Sequence, residues 1–350
     1  MIRRLIISVL CSIGLLILNL ATVQAQDPQF AQYYNNPLYL NPAMTGLDDD
    51  IFFGLNYRSQ WKSLDLPYEI AQLSMIYPIM EKGSQFKHRG GFGFSAYRET
   101  AGESNNFTTN SFTVTAAYNL YLKSDGSQMI SVGLQGGMVN KQIDFNNLRW
   151  GSQYNPFIGF DSNITPSLDL DQEATTFPIF NAGAVWFFDP GRKNFRSSIS
   201  GFLGFAVSNI NRPDESLLSD PDNESLLPRL YKAHAGLNLN LSRDFSISPN
   251  VLYMSQNSAN QLNAGLYFTY QVSSRPGKQL KMQLGTWYRF EDAMIVSFGI
   301  LSKNLGLGVS YDYNNSSLRG FTNGQGALEA SITYRITKGK GLRRFSTPLL

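Results

Sequence analysis

The sequence predicts an all-β fold: one 14-stranded antiparallel transmembrane β-barrel of the outer-membrane type, entered by a short N-terminal plug segment. Three observations predict it. Apolar and polar residues alternate in segments that recur from residue 51 to residue 336, most segments span about nine to thirteen residues, and their number is even. The composition agrees, because 13% of residues are aromatic and only 16% are charged, whereas about a quarter are charged in a soluble domain.

The first 25 residues have the features of a secretory signal peptide. Two arginines form a charged start, an apolar core spans residues 5–20, and a small-residue cleavage site ends at Ala25. We expect cleavage after Ala25 and export of the remaining chain. Because Cys11 is the only cysteine, the mature chain then has none, which excludes disulfides, thiolate metal sites and cysteine nucleophiles.

Residues 26–50 form the next predicted unit, a plug or periplasmic segment. Its sequence begins QDPQFAQYYNNPLYLNPAMTG and is rich in aromatic residues, asparagine and proline. At the two Asn-Pro steps, residues 36–37 and 41–42, the residue before proline is pushed out of helical space and the ring removes an N–H donor, so we expect neither helix nor strand. The segment is expected to pack into the barrel lumen through its aromatic side chains, Phe30, Tyr33, Tyr34 and Tyr39.

The barrel itself is predicted over residues 51–336. In residues 231–241 the odd positions are apolar while the even positions include Lys232 and His234, so one face suits hydrocarbon and the other suits water. Residues 337–350 are left as a basic, periplasmic C-terminal tail. The same alternation along the chain predicts fourteen strands, over residues 51–61, 69–78, 90–98, 110–122, 128–142, 179–188, 199–208, 230–242, 245–254, 261–273, 279–290, 293–301, 305–313 and 326–336.

A soluble β-sandwich also has alternating strands and is the alternative fold. Sandwich strands are usually about five or six residues long, and such domains rarely exceed about 250 residues, so the longer predicted strands favour the barrel. Aromatic residues also lie towards the strand ends, where the interfacial girdles of a membrane barrel belong. These residues are Tyr118, Tyr121, Tyr253, Trp287, Tyr288, Phe290, Tyr311, Tyr313 and Tyr334.

Loop lengths predict which way the barrel faces. Long connections such as 143–178 and 209–229 follow odd strands, while short ones such as 243–244 follow even strands, so the even connections are expected to be periplasmic. Basic residues dominate the even connections and acidic residues the outer loops. The basic charges are either incidental to solvated turns or form a face that docks an acidic periplasmic partner. The docking residues would be Arg192, Lys193, Arg196, Arg275, Lys278 and Lys338.

Candidate catalytic and metal-binding residues are few. His88 is expected in a turn, and His234 shares the lumen-facing side with Lys232 and Arg289. No serine or orienting partner stands at a spacing that would make His234 a general base, so we interpret it as a lumen hydrogen-bonding group. The acidic run at residues 220–224 lacks the glycine and terminal glutamate of a calcium loop. We therefore predict no enzyme activity, metal or cofactor. Loss of Arg3 and Arg4 with the signal peptide lowers the formal charge from +3 to +1, and the basic turns lack a base-stacking surface, so we predict no nucleic-acid partner.

Motifs spread over nearly the whole mature chain resemble those of the PorP/SprF family of type IX secretion proteins. Two departures are Ala31, where the family often has serine, and the basic tail after the last strand. The motifs are DPQF at 27–30, NPLYLNPA at 36–43, YRSQW at 57–61, SNINRP at 208–213, LPRLYKAHAG at 227–236, GTWYR at 285–289 and GVSYDYN at 308–314.

The resemblance implies an integral outer-membrane protein of Bacteroidota-type bacteria, non-enzymatic and similar in architecture to long-chain fatty-acid transporters. It implies a role in secreting a substrate protein or attaching it to the cell surface, as for adhesins used in gliding motility. The implied partners are type IX secretion or motor subunits, the C-terminal domain of the secreted protein, and outer-membrane lipid, with no small-molecule substrate. The alternative function is an outer-membrane uptake channel for small hydrophobic molecules, and a filled lumen would count against it.

Overall fold

The computed structural model describes most of the chain from Gln29 to Thr337. The described residues are 29–48, 50–62, 67–80, 88–102, 105–124, 126–144, 148, 150–155, 157–161, 163–164, 174–190, 199–217, 225–275, 278–317 and 319–337. The predicted signal peptide and the predicted C-terminal tail after Thr337 lie outside the described residues, as do Arg192, Lys193, Arg196 and Lys338 of the predicted docking face. The other two residues of that face stand at chain positions where one strand ends, at Arg275, and the next begins, at Lys278.

Fourteen antiparallel strands form a closed barrel in which each strand pairs with its sequence neighbours and the last pairs with the first. The predicted fold class is confirmed, and the strands lie within a few residues of their predicted bounds. They are β1 (Asp50–Gln60), β2 (Tyr68–Met80), β3 (His88–Ala101), β4 (Phe107–Tyr121), β5 (Gln128–Ile143), β6 (Ala174–Phe188), β7 (Ile199–Ser208), β8 (Leu230–Asn240), β9 (Phe245–Gln256), β10 (Ala259–Arg275), β11 (Lys278–Arg289), β12 (Ala293–Ser302), β13 (Leu305–Asn314) and β14 (Gln325–Thr337).

The closed ring satisfies the backbone of the strands. Its ladder runs from the pairing of β1 with β2 around to the pairing of β1 with β14, where Asp50 stands opposite Thr337 and Gln60 opposite Ala327. A closed sheet has no free edge, which is the condition for placing strands in hydrocarbon. Within the described part of the chain, no helix is long and apolar enough to cross a membrane.

The two faces of each strand follow the predicted alternation. In β4, Phe112 and Val114 are exposed on the outer face, whereas Thr113, Thr115 and Asn119 are buried on the inner face. Successive side chains of a strand point to opposite sides, so the alternation in sequence becomes an apolar outer wall and a polar inner wall. The outer wall carries most of the exposed large apolar side chains of the protein.

The two ends of the barrel differ in their connections. At the end where β1 begins and β14 ends, which we call the short-turn end, neighbouring strands are joined by connections such as 241–244 and 303–304. At the opposite end, which we call the long-loop end, the connections include 144–173 and 209–229. The asymmetry is that of outer-membrane barrels, which have short turns on one side and longer loops on the other.

Residues 29–48, which we call the N-terminal segment, lie inside the barrel. Their side chains and backbone contact inner-wall residues of β1, β4, β5, β8 and β14, and nearly all of them are buried. The segment contacts Glu329 near the long-loop end and Asn119 near the short-turn end, where it leads into β1. It therefore runs along the barrel axis.

The local structure of the N-terminal segment corrects one expectation. It was expected to be neither helix nor strand, yet it forms three single turns of helix, Tyr33–Asn35, Pro37–Leu40 and Pro42–Met44. Proline is compatible with a first helical turn, because its missing N–H would have no partner there and its fixed φ suits the helix. Each proline thus begins a turn, while the Asn before it stays outside helical space, as expected.

Three other side chains differ from their simplest expectation. His88 is not in a turn but is the buried first residue of β3, where its backbone N–H donates to the Tyr121 hydroxyl at 2.9 Å. Tyr121 and Trp287 belong to the predicted girdles by their position near strand ends, but both point inward, the direction that the alternation gives them. The remaining girdle residues are exposed on the outer face: Tyr118, Tyr253, Tyr288, Phe290, Tyr311, Tyr313 and Tyr334.

Candidate functional site

The candidate site is the occupied lumen, where the N-terminal segment meets the inner wall. An apolar cluster joins the two. The ring of Tyr34 stacks on Trp287 with centroids 5.6 Å apart and meets Tyr267 edge-on at 4.5 Å. Around them, Leu40, Met44 and other segment residues pack against wall residues from both halves of the barrel, including Met129, Val185, Phe202, Leu252 and Ile295. The lumen is thus packed in the manner of a protein core.

The four aromatic residues expected in the lumen differ in their surroundings. Phe30, Tyr33 and Tyr34 are buried, while Tyr39 is half-buried. Phe30 and Tyr39 form an edge-to-face pair with ring centroids 5.2 Å apart, and Tyr33 and Tyr34 form another at 5.8 Å. Burial raises the pKa of the Tyr33 and Tyr34 phenols well above the ordinary tyrosine value. An unperturbed tyrosine is already neutral at physiological pH, so neither phenol brings a charge into the lumen.

A single carboxylate on β14 anchors the start of the segment. The two oxygens of Glu329 accept the backbone N–H groups of Ala31, at 2.7 Å, and Gln32, at 3.0 Å. The Gln32 side-chain amide donates to the Glu329 carbonyl oxygen at 3.2 Å, and the Asn35 amide donates to the Ser331 hydroxyl at 2.8 Å. Hydrogen bonds to an ionised group are among the stronger ones in proteins, so this contact fixes the segment along β14.

The anchoring carboxylate belongs to a buried ionic cluster. Arg58 lies 2.8 Å from Asp312 and 3.4 Å from Glu329, and Arg289 lies 3.2 Å from Asp312, measured between guanidinium nitrogens and carboxylate oxygens. All four side chains are buried. Two positive and two negative groups balance, which is the arrangement in which charges can remain buried. Of the four, only Arg289 was singled out from the sequence as a lumen residue.

The middle of the segment is held by Asn41. Its side-chain amide nitrogen contacts the carbonyl oxygens of Ala184 and Phe205, both at 3.1 Å, and the Nε2 atom of His234 at 3.0 Å. The amide nitrogen has two hydrogens to share among these three neighbours, and it can donate to His234 only where Nε2 carries no proton. On the same strand, the Lys232 ammonium donates to the Tyr39 carbonyl oxygen at 2.6 Å and lies 3.7 Å from the Tyr39 ring centroid. The lumen-facing histidine and lysine thus contact the N-terminal segment.

Glycine lets the segment approach the wall closely. A Cβ atom added to Gly133, on the inner face of β5, would overlap the backbone of Pro42 and Ala43. Next to it, the Ser131 hydroxyl donates to the Ala43 carbonyl oxygen at 2.6 Å. The wall at β5 therefore needs a residue without a side chain to seat the segment.

Gly133→Val is expected to destabilise the barrel by about 1–3 kcal/mol, because the added side chain forces the segment away from β5. Gly136→Val on the same strand is the matched control, since a Cβ there would make an ordinary 3.5 Å contact with the outward-facing Phe180 ring. Unfolding of the purified protein in detergent, followed by circular dichroism, separates the two variants. Equal midpoints for both would show that close seating at Gly133 is unimportant.

A cavity remains between the segment and the wall at the long-loop end. Its volume is about 210 Å³, and Phe30, Leu38 and Tyr39 of the segment form part of its lining. The wall contributes polar groups, among them the buried Gln72 Oε1 and Ser111 Oγ atoms, which have no hydrogen-bond partner among the described residues. Such a cavity offers both apolar surface and hydrogen-bonding capacity.

Across the residues that the structure describes, no group of three or more His, Cys, Asp or Glu side chains is placed to hold a metal ion. His234, the one candidate general base of the sequence, has its Nε2 atom 3.0 Å from the Asn41 amide nitrogen. Its ring is therefore engaged in holding the segment.

A comparison with protein families decides the assignment. The family model for the type IX secretion system membrane protein PorP/SprF matches residues 22–334 of the chain. This chain belongs to the PorP/SprF family. The match includes the N-terminal segment and all but the end of β14, and it confirms the resemblance carried by the sequence motifs. Membership makes this PorP/SprF protein an outer-membrane component of type IX secretion.

Solved barrels resemble the PorP/SprF chain in fold. The Pseudomonas putida toluene transporter TodX gives a TM-score of 0.50 at 10% identity, over 87% of this chain and 93% of its own. A Pseudomonas aeruginosa FadL homologue gives 0.42 at 14% identity, over 84% and 92%. At such identities the likeness concerns the fold alone. No curated protein matches the sequence significantly.

Some residues of the site could not be singled out from the sequence. Glu329, Asp312 and Arg58 occupy inward positions of alternating strands, like many other polar residues, and nothing marks them as ionic partners. Asn41 stood out only as part of an Asn-Pro step. The one available signal was charge itself, because a charged residue on the inner face of a membrane strand needs a partner.

Proposed function

We propose that this PorP/SprF protein is a non-enzymatic component of type IX secretion that assists the secretion or surface attachment of a substrate protein, such as a gliding adhesin. The observation that carries the proposal is the occupied lumen. The N-terminal segment is anchored to Glu329 and His234 and packed against Trp287, so the barrel is built as a closed platform. A closed platform suits a role in holding other proteins at the membrane.

In this proposal the N-terminal segment is a plug. Phe30, Tyr33, Tyr34 and Tyr39 fill the part of the lumen nearer the long-loop end, and the glycine contacts at β5 seal the part nearer the short-turn end. The buried ionic cluster supports the plug, because Glu329 is bound by both the segment and the wall. The plug keeps the barrel closed while partners bind at either end.

The short-turn end is proposed to face the periplasm and the long-loop end the cell exterior. The protein is then exported by its signal peptide, cleaved after Ala25, and integrated in the outer membrane. The cavity and the acidic long loops face outward, where the C-terminal domain of a secreted protein can reach them. Gln72 and Ser111 offer that domain hydrogen bonds within a partly apolar cavity.

The periplasmic face is proposed to dock acidic secretion or motor subunits through Arg192, Lys193, Arg196, Arg275, Lys278 and Lys338. Changing Lys193, Arg196, Lys278 and Lys338 to Glu reverses the local charge and is expected to weaken this docking at least about tenfold, because complementary charge governs association. Co-purification of the periplasmic subunits with the variant measures the effect. Arg243→Glu, on another short turn, is the single-charge control. If the variant with all four substitutions co-purifies the periplasmic subunits as well as wild type does, the basic face does not dock a partner.

Affinity capture of the native protein followed by mass spectrometry tests the proposed function. A secretion subunit or a large surface protein is expected to be captured from cells that carry the tagged protein and not from cells that lack it. Cells lacking the protein, complemented with the tagged form, should regain one surface protein. Capture of neither class, together with an unchanged surface proteome in cells lacking the protein, would overturn the proposal.

The uptake channel is the competing function. A hydrophobic solute entering from the long-loop end would reach the cavity of about 210 Å³ but would then meet Leu38 and Tyr39. Further passage requires the segment to break its contacts with Glu329, with the Ala184 and Phe205 carbonyl oxygens, and with the wall residues of the apolar cluster. The number of these contacts favours the secretion role.

A further inference from the structure

The connection between β5 and β6 at the long-loop end carries a small folded hairpin. Two short strands, Tyr154–Asn155 and Gly159–Phe160, pair antiparallel, so that Tyr154 stands opposite Phe160. A 3₁₀ turn, Gly151–Gln153, precedes them. No barrel strand includes these residues, and the proposed function assigns no role to the hairpin's own side chains.

Local hydrogen bonds hold the hairpin in shape. Gln153 brackets it: its side-chain oxygen accepts from the Trp150 N–H at 3.2 Å, its amide donates to the Ile164 carbonyl oxygen at 2.8 Å, and its own carbonyl accepts from the Asp161 N–H at 2.9 Å. At the tip, the Asn155 side chain accepts from the Phe157 N–H at 2.9 Å. Gly159 has a φ of +84°, which glycine adopts without strain. The polar groups thus serve the fold of the hairpin itself.

The side chains that the hairpin presents are apolar. Phe157 is 95% exposed, Ile158 is 70% exposed and Tyr154 is 66% exposed. Contiguous exposed apolar residues on a folded element mark an interaction site, and an element already ordered loses little conformational entropy on binding. The hairpin is therefore pre-shaped to insert apolar side chains into another surface.

The sequence charge of the connection that carries the hairpin favours a protein over lipid as the partner. In residues 144–173 five residues are acidic and only Arg149 is basic. An acidic loop is repelled by an anionic membrane surface, whereas it complements a protein surface with basic residues. The chemistry of the partner follows: an apolar groove to receive Phe157 and Ile158, rimmed by lysine or arginine.

We propose that this hairpin is the docking element for the secreted substrate protein, which would bind it through an apolar groove with a basic rim. The inference rests on the proposed function for the identity of the partner and for the outward orientation of the long-loop end. It adds a place of contact that is separate from the lumen and the basic face. Phe157 and Ile158 would be the anchoring residues, as a small number of buried apolar side chains dominates most interfaces.

Photo-cross-linking in intact cells tests the contact. A photoreactive benzoylphenylalanine placed at position 157 of the full chain is expected to cross-link to a secreted surface protein. The same residue at position 321 is the matched control, because Phe321 is 75% exposed on a different connection at the same end of the barrel. Cross-links at position 157 to lipid alone, to nothing, or to the same protein with equal yield at position 321 would each overturn the inference.

Binding measurements with the purified partner that cross-linking identifies test whether the contact is apolar with a charged rim. The Phe157→Ser, Ile158→Ser double variant in lipid nanodiscs is expected to bind it at least about tenfold more weakly than wild type, and binding should weaken as salt rises from 0.1 to 1 M. Phe321→Ser should bind as wild type does. If wild type binds a secreted protein and the double variant binds it equally, the hairpin inference fails while the proposed function stands. If wild type binds no secreted protein, the hairpin inference fails, and the proposed function fails with it only if affinity capture also recovers no secretion subunit and the surface proteome is unchanged.

Discussion

Replacing residues 27–46 by a flexible Gly/Ser linker of equal length is expected to lower the unfolding temperature of the barrel by more than about 10 °C. The segment buries Leu38, Leu40 and Met44 together with three aromatic rings, and each large apolar side chain contributes about 1.5–3 kcal/mol when fully buried. Its loss also exposes Trp287 and Tyr267 to water and leaves the Glu329 carboxylate without two of its donors. Circular dichroism during heating in detergent measures the shift.

The control for the linker variant is a change that alters an exposed aromatic residue outside the lumen. Phe321→Ser, on the connection between β13 and β14, should leave the unfolding temperature within about 2 °C of wild type, because exposed substitutions usually change stability by less than about 0.5 kcal/mol. An unfolding temperature of the linker variant equal to that of this control would mean that the segment contributes nothing to the barrel.

Glu329→Ala is expected to destabilise the protein by about 3–5 kcal/mol, the range for breaking a buried ion pair by removing one partner. The change leaves Arg58 with Asp312 as its carboxylate partner, which it shares with Arg289, itself also paired with Asp292 at 2.9 Å. It also removes the acceptor of the backbone N–H groups of Ala31 and Gln32. Chemical denaturation of the protein refolded in detergent micelles gives the free energy of unfolding.

Two variants establish that the loss comes from the cluster. Asp244→Ala removes a carboxylate from an exposed turn and should change the free energy of unfolding by less than about 0.5 kcal/mol. Adding Arg58→Ala to Glu329→Ala should recover part of the loss, since it removes a buried cation that has lost one of its two carboxylate partners. A Glu329→Ala variant as stable as Asp244→Ala would contradict the anchoring role of the carboxylate.

The strands were predictable because one face of each strand contacts lipid and the other faces the lumen, so its neighbouring residues alternate between apolar and polar. In β8 the exposed Tyr231 alternates with the buried Lys232 and His234, and this period of two can be recognised within a few consecutive residues. The same locality explains the good agreement of strand bounds. It also explains why Tyr121 and Trp287 are better predicted from alternation than from their position near strand ends.

The contacts of the lumen were not predictable in the same way. Ala31 and Glu329 are 298 positions apart, and nothing local in either sequence specifies the other. The inner face of a barrel is polar throughout, so an ionic partner looks like any other hydrophilic residue until the strands are closed. The helical turns of the N-terminal segment are hard to predict, because proline interrupts a helix at interior positions, whereas Pro37 and Pro42 each stand at the first position of a turn.

Conductance in planar lipid bilayers tests most directly whether the N-terminal segment closes the barrel. Purified wild-type protein and the Gly/Ser linker variant of residues 27–46 would be recorded under the same conditions, with insertion confirmed by protease protection. A closed lumen predicts no steady channel for wild type and stepwise channel openings for the variant. A steady conductance of wild type, equal to that of the linker variant, would contradict the closed barrel on which the proposed function rests.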